Sequence, residues 1–271
     1  CPRRAARASP RSTRADRFPG ARSIHPAFEK VEHRPFPLPD RPWSWRQSWC
    51  DLLFAHWPVE TARLRPLVPG ELEIDEFEGR SWVGVVPFRM EGVTPRFLPA
   101  LPWFSAFPEL NLRLYIRMGD LPGVWFLSLD AGNPVAVQVA RRFFHLPYFH
   151  AEMSLDDEGE SIHYRSRRHR DPEGLRFEGR YGPVGPIHFA QPGSLEHWLT
   201  ERYLLFAQAS DGRIFRGDIH HRPWPLQVAD AEIEINELAR PHGFALDGPP
   251  ASLLFARRIE VAVWGLAEVG P

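Results

Sequence analysis

Alternating apolar and polar positions dominate the chain from residue 43 onward and predict a protein built mainly of strands. Residues 49–57 are an almost continuous apolar run, which is typical of a strand buried on both faces. Glu78-Gly79 separates two alternating segments, as a tight turn does in a β-hairpin. The predicted strands cover residues 49–57, 71–77, 80–90, 109–117, 123–130, 148–155, 161–168, 174–181, 213–220, 228–238 and 252–264.

Two segments carry helix-start signals instead. Asn133-Pro134 joins an N-cap residue to a proline at the first helical position, which predicts a helix to about residue 144. Ser194 is the N-cap of a second predicted helix, whose apolar stripe is Leu195, Trp198, Leu199 and Phe206. Many strands with isolated helices indicate a mainly β (α+β) fold, a largely antiparallel sheet or barrel with a few peripheral helices.

Residues 1–42 differ from the rest because they are rich in Arg and Pro and poor in aliphatic residues. Such a segment buries too little apolar surface to offset its ordering entropy, so we expect a flexible arm. An RNA-binding arm and a transit peptide are the alternatives. No composition shift follows, and we expect residues 43–271 to form a single domain.

Composition narrows the class of partner. The 10 Trp and 19 Phe predict a large aromatic core or an aromatic-lined cavity. A formal net charge of -1 gives no general attraction to nucleic acid or to an anionic membrane, and neither is expected as a partner. No apolar run reaches about 18 residues and no secretory signal is evident, so a cytoplasmic location is expected. The sequence leaves open whether the protein forms a homo-oligomer.

Candidate chemistry lies on the strand predicted over residues 109–117. Because successive side chains of a strand face opposite ways, Glu109, Asn111, Arg113 and Tyr115 share one face. This set can bind a carboxylate through Arg and move a proton through Glu. A strand with one face in solvent is the alternative and looks the same in sequence.

A second strand repeats this mixture. Tyr148, His150, Glu152 and Ser154 share one of its faces. Arg202 falls on or beside the apolar stripe of the second helix, where it needs a carboxylate, a carbonyl or a ligand as partner. No metal-ligand spacing, phosphate-binding loop or nucleophile elbow is present. A metal site built from distant residues such as His56 and His150 is a weaker alternative to the absence of a metal, and no cofactor is expected.

An ordered series of blocks resembles the YqjF-like family, which is a bacterial family of uncharacterised proteins related in fold to acetoacetate decarboxylase. The resemblance covers about residues 45–265, and the blocks include LLFAHWPV at 52–59, WVGVVPFRM at 82–90, ELNLRLYI at 109–116 and HRPWPL at 221–226. It implies a cone-like, mainly antiparallel β barrel around a closed cavity, with a few helices outside.

The resemblance also implies a departure in chemistry. Acetoacetate decarboxylase forms a Schiff base through one of two adjacent lysines, which is activated by the neighbouring cation. If Pro147 aligns with the proline before those lysines, Tyr148 and Phe149 replace them. The only lysine of the chain is Lys30, in the predicted arm. We therefore do not expect a Schiff-base mechanism.

These observations support a protein that binds a small organic molecule, expected to bear a carboxylate. Arg113 and Arg202 would bind the anion, and Glu109 or His150 as base with Tyr148 as acid would serve lyase, tautomerase or hydrolase chemistry. The residues expected to bind the ligand are Asn111, Arg113, Arg202, His56 and Trp224. The alternatives are a non-catalytic binder or sensor, and a structural protein whose barrel is filled by aromatics such as Trp103, Phe104, Phe107 and Trp224.

Overall fold

A computed structural model describes residues 25–98, 105–171 and 174–270. Thirteen strands form one hydrogen-bonded sheet. Their bounds are β1 Trp45–Val59, β2 Glu73–Ile74, β3 Ser81–Pro95, β4 Phe107–Met118, β5 Leu121–Ala131, β6 Tyr148–Asp157, β7 Ile162–Arg168, β8 Arg176–Pro183, β9 Leu204–Gln208, β10 Ile214–His220, β11 Gln227–Asn236, β12 Ser252–Val263 and β13 Ala267–Glu268. The predicted mainly β fold is confirmed.

Three α-helices accompany the strands in the described ranges: α1 Thr61–Leu64, α2 Pro134–Phe144 and α3 Leu195–Thr200. Helix α2 begins as predicted, because the Asn133 side chain accepts hydrogen bonds from the amides of Val135 and Ala136. In the described part of the chain, no helix is long and apolar enough to cross a membrane.

The sheet divides into two rings that share a wall. Strands β5, β4, β3, β1 and β12 are neighbours and form this shared wall. On one side, β9 and β10 connect β5 to β12 and close a ring of seven strands. On the other side, β6, β7, β8 and β11 make the same connection and close a ring of nine. Among the strands of the described ranges, only the pairings of β5 with β6 and with β9 are parallel.

The two faces of the shared wall therefore look into different interiors. On β4, Leu110, Leu112 and Leu114 belong to the apolar core of the nine-strand ring, together with Phe177 of β8 and Phe255 of β12. On β1 and β3, the side chains that point away from this core, such as Phe54 and Phe88, face the seven-strand ring. Because successive strand side chains point in opposite directions, one wall contributes side chains to both interiors.

Two predicted elements are wrong in their bounds. The strand predicted over 71–77 is only the two residues of β2, which pairs with β4, although Phe77 and Arg80 do bridge across the turn at Glu78-Gly79. The second helix was predicted to include Phe206, but α3 ends at Thr200 and Phe206 lies on β9. A Cβ at Gly123 would lie 2.7 Å from the Phe206 ring, so the glycine of β5 allows β9 to approach.

Part of the segment predicted as an arm packs on the strands. A short 3-10 helix spans Pro26–Glu29, and Ala27 is fully buried. Arg34 donates to a carboxylate oxygen of Asp218 at 3.2 Å, and both side chains are buried. The composition of residues 25–42 hid this packing, because its contacts with the strands include a buried ion pair and aromatic rings, such as that of Phe28 beside Trp264, rather than an aliphatic stripe. Residues 1–24 lie outside the described ranges.

Candidate ligand-binding cavity

The seven-strand ring surrounds a cavity of about 160 Å³. All seven strands of this ring contribute lining residues, and helix α2 adds Ala136, Val139, Ala140 and Phe144. A dry apolar cavity of roughly this size, about 150 Å³, accommodates benzene in another protein. The wall is mainly apolar and includes several Trp and Phe side chains: Trp45, Trp49, Phe54, Phe88, Phe107, Phe126, Phe144 and Trp224.

One row of polar side chains crosses this aromatic interior on β4. Glu109, Asn111 and Arg113 all line the cavity. Glu109 is 2% exposed and Asn111 is 5% exposed, so this face of the strand does not lie in solvent. At a rise of about 3.3 Å per residue, Glu109 and Arg113 are roughly 13 Å apart along the strand, with the amide midway. The cavity thus has an acid at one level and a guanidinium at another.

Glu109 forms a buried pair with Tyr148, as their predicted roles require. The Tyr148 hydroxyl donates to Oε2 of Glu109 at 2.9 Å. Burial raises the pKa of Glu109 to about 8, although the hydrogen bond from Tyr148 opposes the shift. Burial and the neighbouring Glu109 also raise the pKa of Tyr148 well above its ordinary value. At neutral pH the pair is therefore predominantly neutral and can donate a proton as well as accept one.

Arg113 lines the cavity near the C-terminal end of helix α3. Its guanidinium donates to the Tyr115 hydroxyl at 3.1 and 3.2 Å and to the carbonyl of Leu199 at 3.3 Å. No carboxylate within the described ranges forms an ion pair with it. These neutral acceptors hold the side chain in place but leave its charge uncompensated, which suits it to an anionic ligand.

Arg202 also lines the cavity, but it has a carboxylate partner. Its Nη1 donates to Oδ2 of Asp75 at 2.6 Å, and its Nε donates to the carbonyl of Trp198 at 2.6 Å. The buried Nη2 has no hydrogen-bond partner in the described part of the chain. Arg202 therefore contributes a spare donor rather than a free charge.

Three further predicted residues have different outcomes. Trp224 lines the cavity, and its indole N–H donates to the carbonyl of Thr200 at 2.9 Å. His56 does not line the cavity: it is fully buried and its Nε2 lies 2.6 Å from the Tyr115 hydroxyl. His150 does not line it either, and its ring packs beside His169 with centroids 5.2 Å apart. Because β6 leaves the cavity after Tyr148, only the first residue of its polar face reaches the site.

The buried His56 and the half-buried His150 thus have separate neighbours, and no metal site forms from them. Within the described ranges, no group of three or more His, Cys, Asp and Glu side chains is arranged to hold a metal ion. Lys30 is exposed and is not a lining residue. Of the aromatics considered as a filling, Phe107 and Trp224 line the cavity, while Trp103 and Phe104 lie outside the described residues.

Sequence reasoning missed His221 as a lining residue. It follows β10, is fully buried and lines the cavity. Its Nδ1 lies 2.7 Å from the carbonyl of Arg222, and its Nε2 has no partner among the described residues. His221 is directly preceded by a second histidine, His220. The available signal was alternation, which places one of two consecutive histidines on the inner face of a strand.

Comparisons with known proteins agree with the fold and the resemblance. A family model described as an uncharacterized conserved protein, DUF2071, matches residues 46–260. The uncharacterized protein YqjF of Bacillus subtilis (strain 168) is 42% identical over 240 residues, covering 89% of this chain and 98% of YqjF.

Solved structures show the same fold at low identity. An acetoacetate decarboxylase-like enzyme from Sphingomonas wittichii RW1 has a TM-score of 0.58 at 15% identity, covering 87% of this chain and 98% of that one. Acetoacetate decarboxylase from Legionella pneumophila has a TM-score of 0.59 at 13% identity, covering 93% and 98%. The enduracididine biosynthesis enzyme MppR, complexed with pyruvate, has a TM-score of 0.55 at 12% identity, covering 85% and 91%. The chain belongs to the DUF2071 family of uncharacterized conserved proteins and has an acetoacetate decarboxylase-like fold.

Proposed function

We propose that this protein binds a small organic acid in the cavity of the seven-strand ring, with the carboxylate on Arg113. The observation that carries the proposal is a guanidinium that lines a mainly apolar cavity and has no ion pair among the described residues. Arg113 is partly buried, so an anion that reaches it gains a charge-assisted contact that is less screened by water than one on the surface. Asn111 would orient the ligand, and the aromatic walls would cover its apolar part.

The Glu109–Tyr148 pair supports a catalytic version of this proposal. A neutral carboxylic acid with a pKa of about 8 lies close to the protonation balance that general acid–base catalysis needs at neutral pH. Proton transfer of this kind serves lyase, tautomerase or hydrolase reactions. A Schiff base is not part of the proposal, because no lysine of the described ranges lines the cavity. A binder or sensor without turnover would use the same cavity.

The likeness in fold gives independent support for the ligand class. MppR, whose structure resembles this one, is complexed with pyruvate, which is a small carboxylic acid. Its 12% identity carries the fold alone, so the site residues of this chain are argued from their own geometry. The hollow interior also favours a ligand over the alternative of a filled structural ring.

Thermal unfolding in the presence of small carboxylic acids, keto acids, lactones and acyl compounds tests the proposal. A ligand at a hundred times its dissociation constant adds about 2.7 kcal/mol of stability, or roughly 5–10 °C in Tm for a domain of this size. We expect at least one acid to produce this shift. Arg113→Met should abolish it, whereas Arg117→Met should retain it. Arg117 lies on the same strand but outside the cavity lining, with its side chain 42% exposed.

Shifts that survive Arg113→Met would contradict the proposed site. Compounds that bind are then incubated with the protein and followed by NMR for turnover. Glu109→Gln and Tyr148→Phe should each slow any turnover by at least tenfold while binding is kept. Turnover unchanged in both variants would leave a binding protein and exclude the catalytic version.

A further inference from the structure

The protonation pattern of His221 follows from its hydrogen bond. A carbonyl oxygen only accepts, so the Nδ1 that lies 2.7 Å from the Arg222 carbonyl must carry the hydrogen. Burial lowers the pKa of His221 below its ordinary value, which keeps the ring neutral. A neutral imidazole with hydrogen on Nδ1 has a lone pair on Nε2. His221 is therefore an acceptor at the atom that has no partner among the described residues.

The surroundings of His221 hold this ring firmly. It stacks on Tyr203, with centroids 4.7 Å apart and planes 28° apart, and lies 5.0 Å from the Trp224 ring. The His221 carbonyl lies 2.8 Å from Nε2 of His33, in the segment that precedes β1. The unpartnered acceptor is thus positioned by contacts on several sides.

The topology places His221 across the cavity from Arg113. In the seven-strand ring, β5 and β9 separate β4 from β10 on one side, and β3, β1 and β12 separate them on the other. Arg113 is on β4, and His221 directly follows β10. A ligand whose carboxylate contacts Arg113 therefore extends towards the wall that carries His221.

Besides Asn111 Oδ1 on β4, two buried polar atoms of the lining residues lack partners among the described residues. One is on the His221 side, and one is on Arg202, which lies beside Tyr115 as Arg113 does. His221 Nε2 requires a hydrogen-bond donor, and Arg202 Nη2 requires an acceptor. An unpaired buried polar group costs about 1–3 kcal/mol, so a ligand group that satisfies one of them gains affinity. A hydroxyl has both a hydrogen and lone pairs. An ammonium group would bring a hydrogen but also a positive charge into a cavity that already contains Arg113 and Arg202.

We propose that the ligand is a hydroxy acid, whose carboxylate contacts Arg113 and whose hydroxyl donates its hydrogen to Nε2 of His221. This inference rests on the proposed binding of an acid and adds the second functional group. His221 is then the residue that distinguishes a hydroxy acid from the same acid without the hydroxyl. A site built to pair a hydroxyl discriminates strongly against the analogue that lacks it, because its own polar atoms are left unpaired.

Isothermal titration calorimetry with matched pairs of acids tests this inference. The pairs are 3-hydroxybutanoate with butanoate, 2-hydroxyhexanoate with hexanoate, and mandelate with phenylacetate. We expect the wild-type protein to prefer the hydroxy acid of at least one pair by about tenfold or more in Kd. His221→Asn retains an amide N–H near the position of Nδ1 and removes the Nε2 acceptor. It should abolish the preference and leave the affinity for the plain acid within about twofold.

His220→Asn is the matched control, since His220 is the adjacent buried histidine, bonds to the Lys30 carbonyl at 3.1 Å and does not line the cavity. It should keep the preference. Equal affinities within every pair that binds the wild-type protein would overturn the inference while leaving the binding of an acid in place, and this result does not depend on the folding of any variant. Absence of binding by all six acids would count against both proposals.

Discussion

The two rings share five strands, yet one interior is packed around a large apolar core and the other surrounds a cavity. In the nine-strand ring, buried residues such as Tyr164, Phe177 and Phe255 belong to one apolar core, and the Tyr164 hydroxyl donates to backbone carbonyls. In the seven-strand ring, the side chains of the walls stand apart, and Asn111 Oδ1 and His221 Nε2 lack partners among the described residues. The same wall therefore contributes to a packed core on one face and lines the cavity on the other.

Glu109 shows this contrast within one residue. The Tyr164 hydroxyl, from the side of the packed core, donates to its backbone carbonyl at 2.7 Å. The Tyr148 hydroxyl, from the cavity side, donates to its carboxylate at 2.9 Å. One tyrosine fixes the position of the strand, and the other sets the protonation of the acid. Ser166 Oγ on β7 also lacks a partner among the described residues, so the candidate site is marked by unsatisfied polar atoms on residues that line the cavity of the seven-strand ring rather than by unsatisfied polar atoms alone.

The largest expected difference between the rings is in the stability that is lost when an arginine is replaced. Arg168 donates to Asp130 at 2.8 Å, and both are buried, so Arg168→Met should lower the free energy of unfolding by about 3–5 kcal/mol. Arg113→Met breaks no ion pair of the described residues and should cost less than about 1 kcal/mol. Urea unfolding of both variants provides the comparison. Similar losses would mean that Arg113 is a structural residue.

Truncation of a buried phenylalanine should also differ between the rings. Phe255 is 0% exposed in the apolar core of the nine-strand ring, and Phe255→Ala should cost about 3–5 kcal/mol through lost contacts and a new cavity. Phe88 is 3% exposed but borders the existing cavity, so Phe88→Ala loses fewer contacts and should cost roughly half as much. The two midpoints of urea unfolding measure this difference. Equal costs would indicate that the seven-strand ring closes up in solution.

The pH dependence of stability should report the protonation of Glu109. Its folded pKa of about 8 exceeds the value of about 4.5 in the unfolded chain, so the folded state binds one more proton between these values. Stability is therefore fully present below about pH 4.5 and falls as pH rises, by up to about 1.4 kcal/mol per pH unit. Glu109→Gln should remove this fall.

Between pH 6.5 and 8, we expect the change of stability with pH to come from Glu109. Burial raises the pKa of Asp130 only to about 6, so its contribution is complete below this window. Because the pKa values of His56 and His221 are lowered, these residues change the stability only at lower pH. Their stabilising effect is present above the ordinary histidine pKa and is lost as pH falls. Unfolding curves of the wild type and Glu109→Gln that stay parallel across the window would show that Glu109 is ionised.

The two tyrosines bonded to Glu109 provide the smallest and sharpest contrast. Tyr164→Phe should cost about 1–2 kcal/mol, because a buried carbonyl loses its partner. Tyr148→Phe should cost less than about 1 kcal/mol and raise the pKa of Glu109 further, since the lost hydrogen bond favoured the ionised form. Unfolding measurements and NMR titration of the Glu109 side chain check the two effects. A lowered pKa of Glu109 in Tyr148→Phe would contradict the assigned role.

Most of the strands and part of the cavity lining could be predicted from the sequence, and the cavity itself was implied by the family resemblance. Alternation placed Glu109, Asn111 and Arg113 on one face, but it could not say whether that face met solvent or an interior, because both look alike along one strand. The same rule wrongly extended the site to His150, since it does not record where a strand leaves a cavity. His221 and the Arg202–Asp75 pair depend on segments distant in sequence, and no local pattern reveals them.

The double use of β4 has a consequence for how this protein can change. Cavity-lining residues such as Asn111 and Arg113 alternate with Leu110, Leu112 and Leu114, which belong to the apolar core of the other interior. Exchange of the first set alters the cavity without touching the packing that keeps the chain folded. Natural variation or laboratory selection can therefore retune the preferred compound at little thermodynamic risk, and a library confined to the cavity-facing positions of the shared wall is the economical way to redesign it.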